Sequence, residues 1–101
     1  MFIHSVYFWL REDLNDQERE RFIRGVNSLT TIDSVHYAWV GRPAGTDRPV
    51  IERSYSYSLT AVFDDFAAQD AYQVDPVHDV FREECGSLWS RVLIYDSVEE
   101  S

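Results

Sequence analysis

Phe2-Ile3-His4-Ser5-Val6-Tyr7-Phe8-Trp9-Leu10 reads as a strand with two apolar faces. Strand side chains alternate, so Phe2, His4, Val6, Phe8 and Leu10 share one side and Ile3, Ser5, Tyr7 and Trp9 the other. Both sides are largely apolar, which predicts a strand covered on both faces. Asn15, with Glu18 three residues on, makes a capping box, and Phe22, Ile23, Val26 and Leu29 then recur at helical spacing. β-Branched and aromatic residues return over 32–40, a second strand with Val35, Tyr37 and Trp39 on one face and Ser34, His36, Ala38 and Val40 on the other. The prolines, glycines and scattered charges of 41–53 predict a long loop, and 54–63 a third, two-faced strand. Asp64 or Asp65 starts a short helix to about Tyr72. A second helix starts at Asp75-Pro76, with Val77, Val80 and Phe81 spaced for its buried side and Gly86 as its stop. Residues 88–98 close the sheet, and 99–101 form a frayed acidic tail.

The order is strand, helix, strand, strand, helical segment, strand. It predicts an α+β, ferredoxin-like βαββαβ domain over 1–98, with helices on one face of a four-stranded antiparallel sheet. Tyr7, Trp9, Tyr37 and Trp39 cannot all sit under those helices. An uncovered apolar sheet face of that size marks an interface, so a homodimer through the sheet face is expected.

Composition narrows the partners. The 101 residues make a single domain, 45% hydrophobic and 15% aromatic, enough for a core. Net charge is −9, from 18 acidic residues against nine arginines; lysine is absent, which excludes Schiff-base chemistry. So acidic a chain is repelled by phosphate backbones and anionic membranes, and neither a nucleic-acid nor a membrane partner is expected. Cys85 stands alone, a small buried thiol with no disulfide or Cys-x-x-Cys pairing. No leader pattern and no membrane-length apolar run is visible, so a cytoplasmic location is expected. Asp75 and Asp79 read as a cap and a solvated charge. Without His-x-x-x-His, Gly-x-Ser-x-Gly or a glycine-rich strand-to-helix turn, no metal or cofactor is expected.

Chemistry concentrates in Ala71-Tyr72-Gln73-Val74-Asp75-Pro76-Val77-His78-Asp79. Asp75 is an N-cap residue and Pro76 fits the first helical position, which puts His78 in the first turn. The positive end of the helix dipole disfavours an imidazolium there, leaving a neutral base able to accept a proton. Tyr72 can donate a hydrogen bond to an oxygen gaining charge. The plainer reading is a packed histidine bonded to a backbone carbonyl. His4, on the strand face of Val6, is either a satisfied core histidine or a pocket wall beside His78.

His4 within His-Ser-Val-Tyr-Phe-Trp-Leu, the Tyr72-x-x-x-Pro76-x-His78 stretch and the closing Val92-Leu93-Ile94-Tyr95-Asp96 together resemble the stress-responsive A/B barrel (Dabb) domain over essentially the whole chain. The resemblance implies a dimeric α+β barrel, two ferredoxin-like sheets joined face to face. Most such domains have no assigned biochemical role. One plant branch contains polyketide cyclases that close a ring by aldol condensation without a cofactor, using a histidine and a tyrosine that match His78 and Tyr72 and a first-strand histidine that matches His4. This chain departs from the family at Asp75, where histidine is common. The implied expectation is a small hydrophobic carbonyl compound bound among His4, Val6 and Phe81, with Tyr72 and His78 performing cofactor-independent proton transfer or aldol-type cyclisation. The alternatives are a non-enzymatic stress-associated binding or structural dimer and, third, a cofactorless monooxygenase.

Overall fold

A computed structural model describes residues 1–100. Strand β1 (Phe2–Leu10) lies inside a four-stranded sheet of order β2-β3-β1-β4, with β2 (Tyr37–Gly41), β3 (Tyr57–Phe63) and β4 (Trp89–Val98) all paired antiparallel. Helices α1 (Asp16–Ser28), α2 (Phe66–Gln73) and α3 (Pro76–Cys85) complete a βαββαβ ferredoxin-like arrangement. Phe2, His4, Val6, Phe8 and Leu10 are all buried, joining Leu59, Ala61 and Phe63 of β3 and Phe22, Val26, Phe81 and Cys85 of the helices. The alternation of β1 thus places its even-numbered side chains in the core.

The start of α1 follows from its sequence. Asn15 Oδ1 accepts the Glu18 backbone N–H at 2.8 Å, and Glu18 Oε1 accepts the Asn15 N–H at 3.0 Å. This satisfies two donors that a helix end leaves unpaired. One turn later Phe22 fills the centre of the core, its ring 5.1 Å from Phe8 and 6.2 Å from Phe81 between centroids.

The odd-numbered face of β1 is covered by no helix. Strand register aligns Ile3, Ser5 and Tyr7 with Val62, Thr60 and Ser58, and Tyr37 and Trp39 with Val62 and Thr60. Tyr37, Trp39 and Tyr95 are all more than half exposed on this open side. Part of it is covered by the Arg91 guanidinium, 4.3 Å over the Trp9 ring, and part by the end of the β2–β3 connection. There Ser54 Oγ accepts the Trp9 indole N–H at 2.9 Å, and Tyr55 meets Tyr7 edge-on at 5.0 Å.

Several boundaries differ from the expected ones. The second strand begins at Tyr37 rather than 32, because Leu29–Thr31 continue α1 as a 3₁₀ turn and the Val35 N–H donates to Ile32 C=O in a further turn. Val35 therefore packs on the core instead of joining Tyr37 and Trp39. The third strand begins at Tyr57; Ser54 and Ser56 lie outside it, their hydroxyls taken by Trp9 Nε1 and the Leu10 backbone N–H. Ile23 and Val80, expected inside, are exposed, since Phe22 with Val26 and His78 with Phe81 and Cys85 form the buried stripes of α1 and α3. In the acidic tail, Glu99 pairs with the Met1 ammonium, and Ser101 lies outside the described residues.

Where α1 crosses α3 the backbone of Gly25 comes close. A Cβ there would stand 2.5 Å from Cys85 Sγ and 3.2 Å from the Phe81 ring. Gly25→Ala should destabilise the fold by about 1–3 kcal/mol through overpacking, and Cys85→Ala in the same chain should restore part of that loss. Urea midpoints of the two single variants and the double variant check the coupling; simple additivity would contradict it.

Candidate active site

The break between α2 and α3 builds the site. Asp75 Oδ1 accepts the Val77 N–H at 2.8 Å, Pro76 takes the first helical position, and the Asp75 N–H donates back to Tyr72 C=O. On one unbroken helix, side chains six residues apart would point roughly 120° apart and stand about 9 Å apart along the axis. With the break between them, the rings of Tyr72 and His78 meet edge-on at 4.8 Å. Tyr72 also meets His4 at 5.8 Å and Phe63 at 5.1 Å. The phenol thus sits between two imidazoles.

His4, Val6, Tyr72, His78 and Phe81 all line one cavity of about 170 Å³ between the sheet and the helices. Leu29, Leu59 and Trp89 add apolar wall. Val92 and Ile94 of β4 and the Arg82 side chain also border it and are exposed, so the cavity opens between α3 and the edge strand β4.

Burial sets the electrostatics. It pushes the Tyr72 phenol well above its ordinary range, against a smaller opposing pull from Arg82, so the hydroxyl stays a donor. His78 is held below the ordinary histidine range, first by burial and then by the Arg82 charge. The sequence reading reached the same direction from the helix terminus; burial is the larger cause here. His78 Nδ1 is buried with no hydrogen-bond partner among the described residues. An imidazolium would bury an unpaired N–H there, which also favours the neutral ring.

His4 is held differently. Its Nδ1 lies 2.6 Å from Asp96 Oδ1. A carboxylate on Nδ1 fixes that nitrogen as the one bearing the proton and leaves the lone pair on Nε2. Asp96 carried no role in the sequence reading, although it stands directly opposite His4 in the β1–β4 ladder. Only strand register could have found it. Arg82 was missed as well, since a lone arginine on a helix reads as surface charge. Asp75 serves as the cap of α3, and Asp79 lies beside Arg82 with 3.6 Å between Oδ1 and Nη1. Among the described residues no group of three or more His, Cys, Asp or Glu side chains comes together as a metal site, and no helix is long and apolar enough to cross a membrane.

The lowered His78 value has a stability consequence. The unfolded chain, whose histidine titrates near 6.5, binds a proton there more readily than the folded chain does. The stabilisation is therefore complete above that range and is lost as pH falls through the lower folded value. Melting temperature should drop between pH 7 and pH 5, and His78→Gln should flatten that drop. An unchanged slope in the variant would contradict the assignment.

Comparison with known proteins supplies the family. No curated protein matches significantly in sequence. Among solved structures, a Dabb family protein with a ferredoxin-like fold from Mesorhizobium loti is similar at 24% identity and TM-score 0.78, covering 99% of this chain and 97% of its own. A dimeric ferredoxin-like protein of unknown function from Thermobifida fusca matches at 16% identity and TM-score 0.78, covering 97% of this chain and 90% of its own. A hydroxynitrile lyase from Passiflora edulis matches at 14% identity and TM-score 0.78, covering 99% and 94% respectively. At such identities these three likenesses concern the fold. The family model of the stress responsive A/B barrel domain matches residues 2–99, and the chain belongs to that family.

Proposed function

We propose that this protein binds a small carbonyl compound in the cavity beside Tyr72 and His78 and moves a proton on the carbon next to the carbonyl without a cofactor. The observation that carries this is the edge contact of Tyr72 and His78 on a cavity wall, 4.8 Å between centroids, with His78 Nδ1 buried and without a hydrogen-bond partner among the described residues. A neutral imidazole takes the α-proton, the C–H electron pair moves toward the carbonyl oxygen, and the Tyr72 hydroxyl donates a hydrogen bond to the resulting enolate. Attack of that carbon on a second carbonyl would form a carbon–carbon bond, with the His78 proton passing to the new alkoxide. The reverse sequence cleaves such a bond. A fold relative named hydroxynitrile lyase supports enzymatic use of this frame. The Asp96-held His4 favours a second assignment within the same site, in which its Nε2 is the accepting nitrogen and His78 an electrostatic neighbour.

The assembly we propose is a homodimer through the open sheet face that carries Tyr37, Trp39 and Tyr95. It would cover the second apolar side of β1, and a dimeric fold relative supports it.

Two experiments test these readings. Carbonyl compounds incubated with the protein in D₂O should gain deuterium at the α-carbon, read by NMR. His78→Ala should lower that rate by roughly 10²–10⁴-fold, Tyr72→Phe by a smaller factor, and a loss confined to His4→Ala would transfer the base to His4. No protein-dependent exchange across aliphatic and aromatic ketones would sink the enzymatic reading. Sedimentation equilibrium should give twice the monomer mass, and Trp39→Glu should return the monomer; a monomeric wild type would contradict the dimer.

A further inference from the structure

Arg82 is the one residue of the cavity lining with a permanent charge, in a chain whose net charge is −9. It follows His78 by four residues on α3, which puts both on one helix face. Its Nη2 donates to Gln73 Oε1 at 3.0 Å, and Gln73 also lines the cavity. The ion pair with Asp79 is long, 3.6 Å, with both side chains more than half exposed, so it neutralises little. An arginine carries five N–H donors in a planar fork matched to a carboxylate, and these two contacts leave donors free. The remaining wall is apolar except for Tyr72 and the two imidazoles.

We propose that the cavity takes a carbonyl compound bearing a carboxylate, a keto acid, with Arg82 at the mouth holding the carboxylate and the carbonyl lying between Tyr72 and His78. This rests on the proton-transfer reading above and names its substrate class. A volume of about 170 Å³ is below the roughly 300–1,000 Å³ of drug-sized pockets. The acid is therefore compact, with a short apolar tail against Val6, Leu59 and Phe81.

Calorimetric titration tests the proposal with two acids of different carboxylate spacing, 4-methyl-2-oxopentanoate and 4-oxopentanoate, each against its methyl ester. At low ionic strength at least one acid should bind about tenfold or more tightly than its ester, and added salt should narrow the gap. Arg82→Gln should abolish the preference and Arg82→Lys should keep part of it. Comparing acid with ester within each variant separates recognition from any loss of folding. Equal binding of acid and ester, a preference that survives Arg82→Gln, or no binding of any of the four compounds to the wild type overturns the proposal. If the esters bind and exchange in a His78-dependent way regardless of Arg82, the anion site falls and the proton-transfer reading stands. If the acids bind through Arg82 while His78→Ala and Tyr72→Phe leave α-exchange unchanged, the proton-transfer reading falls and the anion site stands.

Discussion

The exclusion of water from the Tyr72 ring is the constraint on which the site depends. That ring is 1% exposed, pressed edge-on against His4, Phe63 and His78 where β1, β3, α2 and α3 converge. Burial favours a protonated phenol and a neutral imidazole, so the same packing that stabilises the core favours the two protonation states that the proposed proton transfer requires. The backbone arrangement serves this contact. Were α2 to run on through Asp75 without the proline-started break, the two rings would diverge around one helix.

How far these features can be read from the sequence depends on the range of the interaction behind them. The capping box at Asn15, the Asp75-Pro76 start and the alternation of β1 are local, set by neighbours within a few residues, and the sequence displays them directly. The gathering of His4, Val6, Tyr72, His78 and Phe81 at one cavity follows once α3 is placed against the sheet face that carries the even-numbered side chains of β1. Asp96 was not legible, because its contact with His4 spans 92 positions and rests on the register of β4. Arg82 was hidden for the opposite reason: its sequence setting is that of any surface helix, and only the lie of β4 turns that surface into a cavity mouth. The start of β2 was misread because Ile32 and Val35 have strand-like side chains but pack on the core from turns, tertiary burial outweighing local propensity.

The two faces of the sheet divide the work. The helix side holds a small cavity with two differently held histidines, His4 against a carboxylate and His78 packed with its Nδ1 unpartnered among the described residues. On the open side lie Tyr7, Tyr37, Trp39 and Tyr95, with Ser54 and Tyr55 folded over Trp9 and Tyr7. Because β1 contributes alternate residues to both, a change in its register would disturb cavity and open face together. This coupling accounts for a central strand apolar on both sides in a chain otherwise rich in charge.

Long-range ¹H–¹⁵N NMR of the three histidine rings reads the Tyr72–His78 pair itself, since nitrogen shifts report protonation and tautomer at each ring. His78 should take up its proton at lower pH than free histidine does, and neutral His4 should carry its proton on Nδ1, toward Asp96. A His78 ring that titrates like free histidine would show that water reaches the pair, and the chemistry assigned to it would no longer hold.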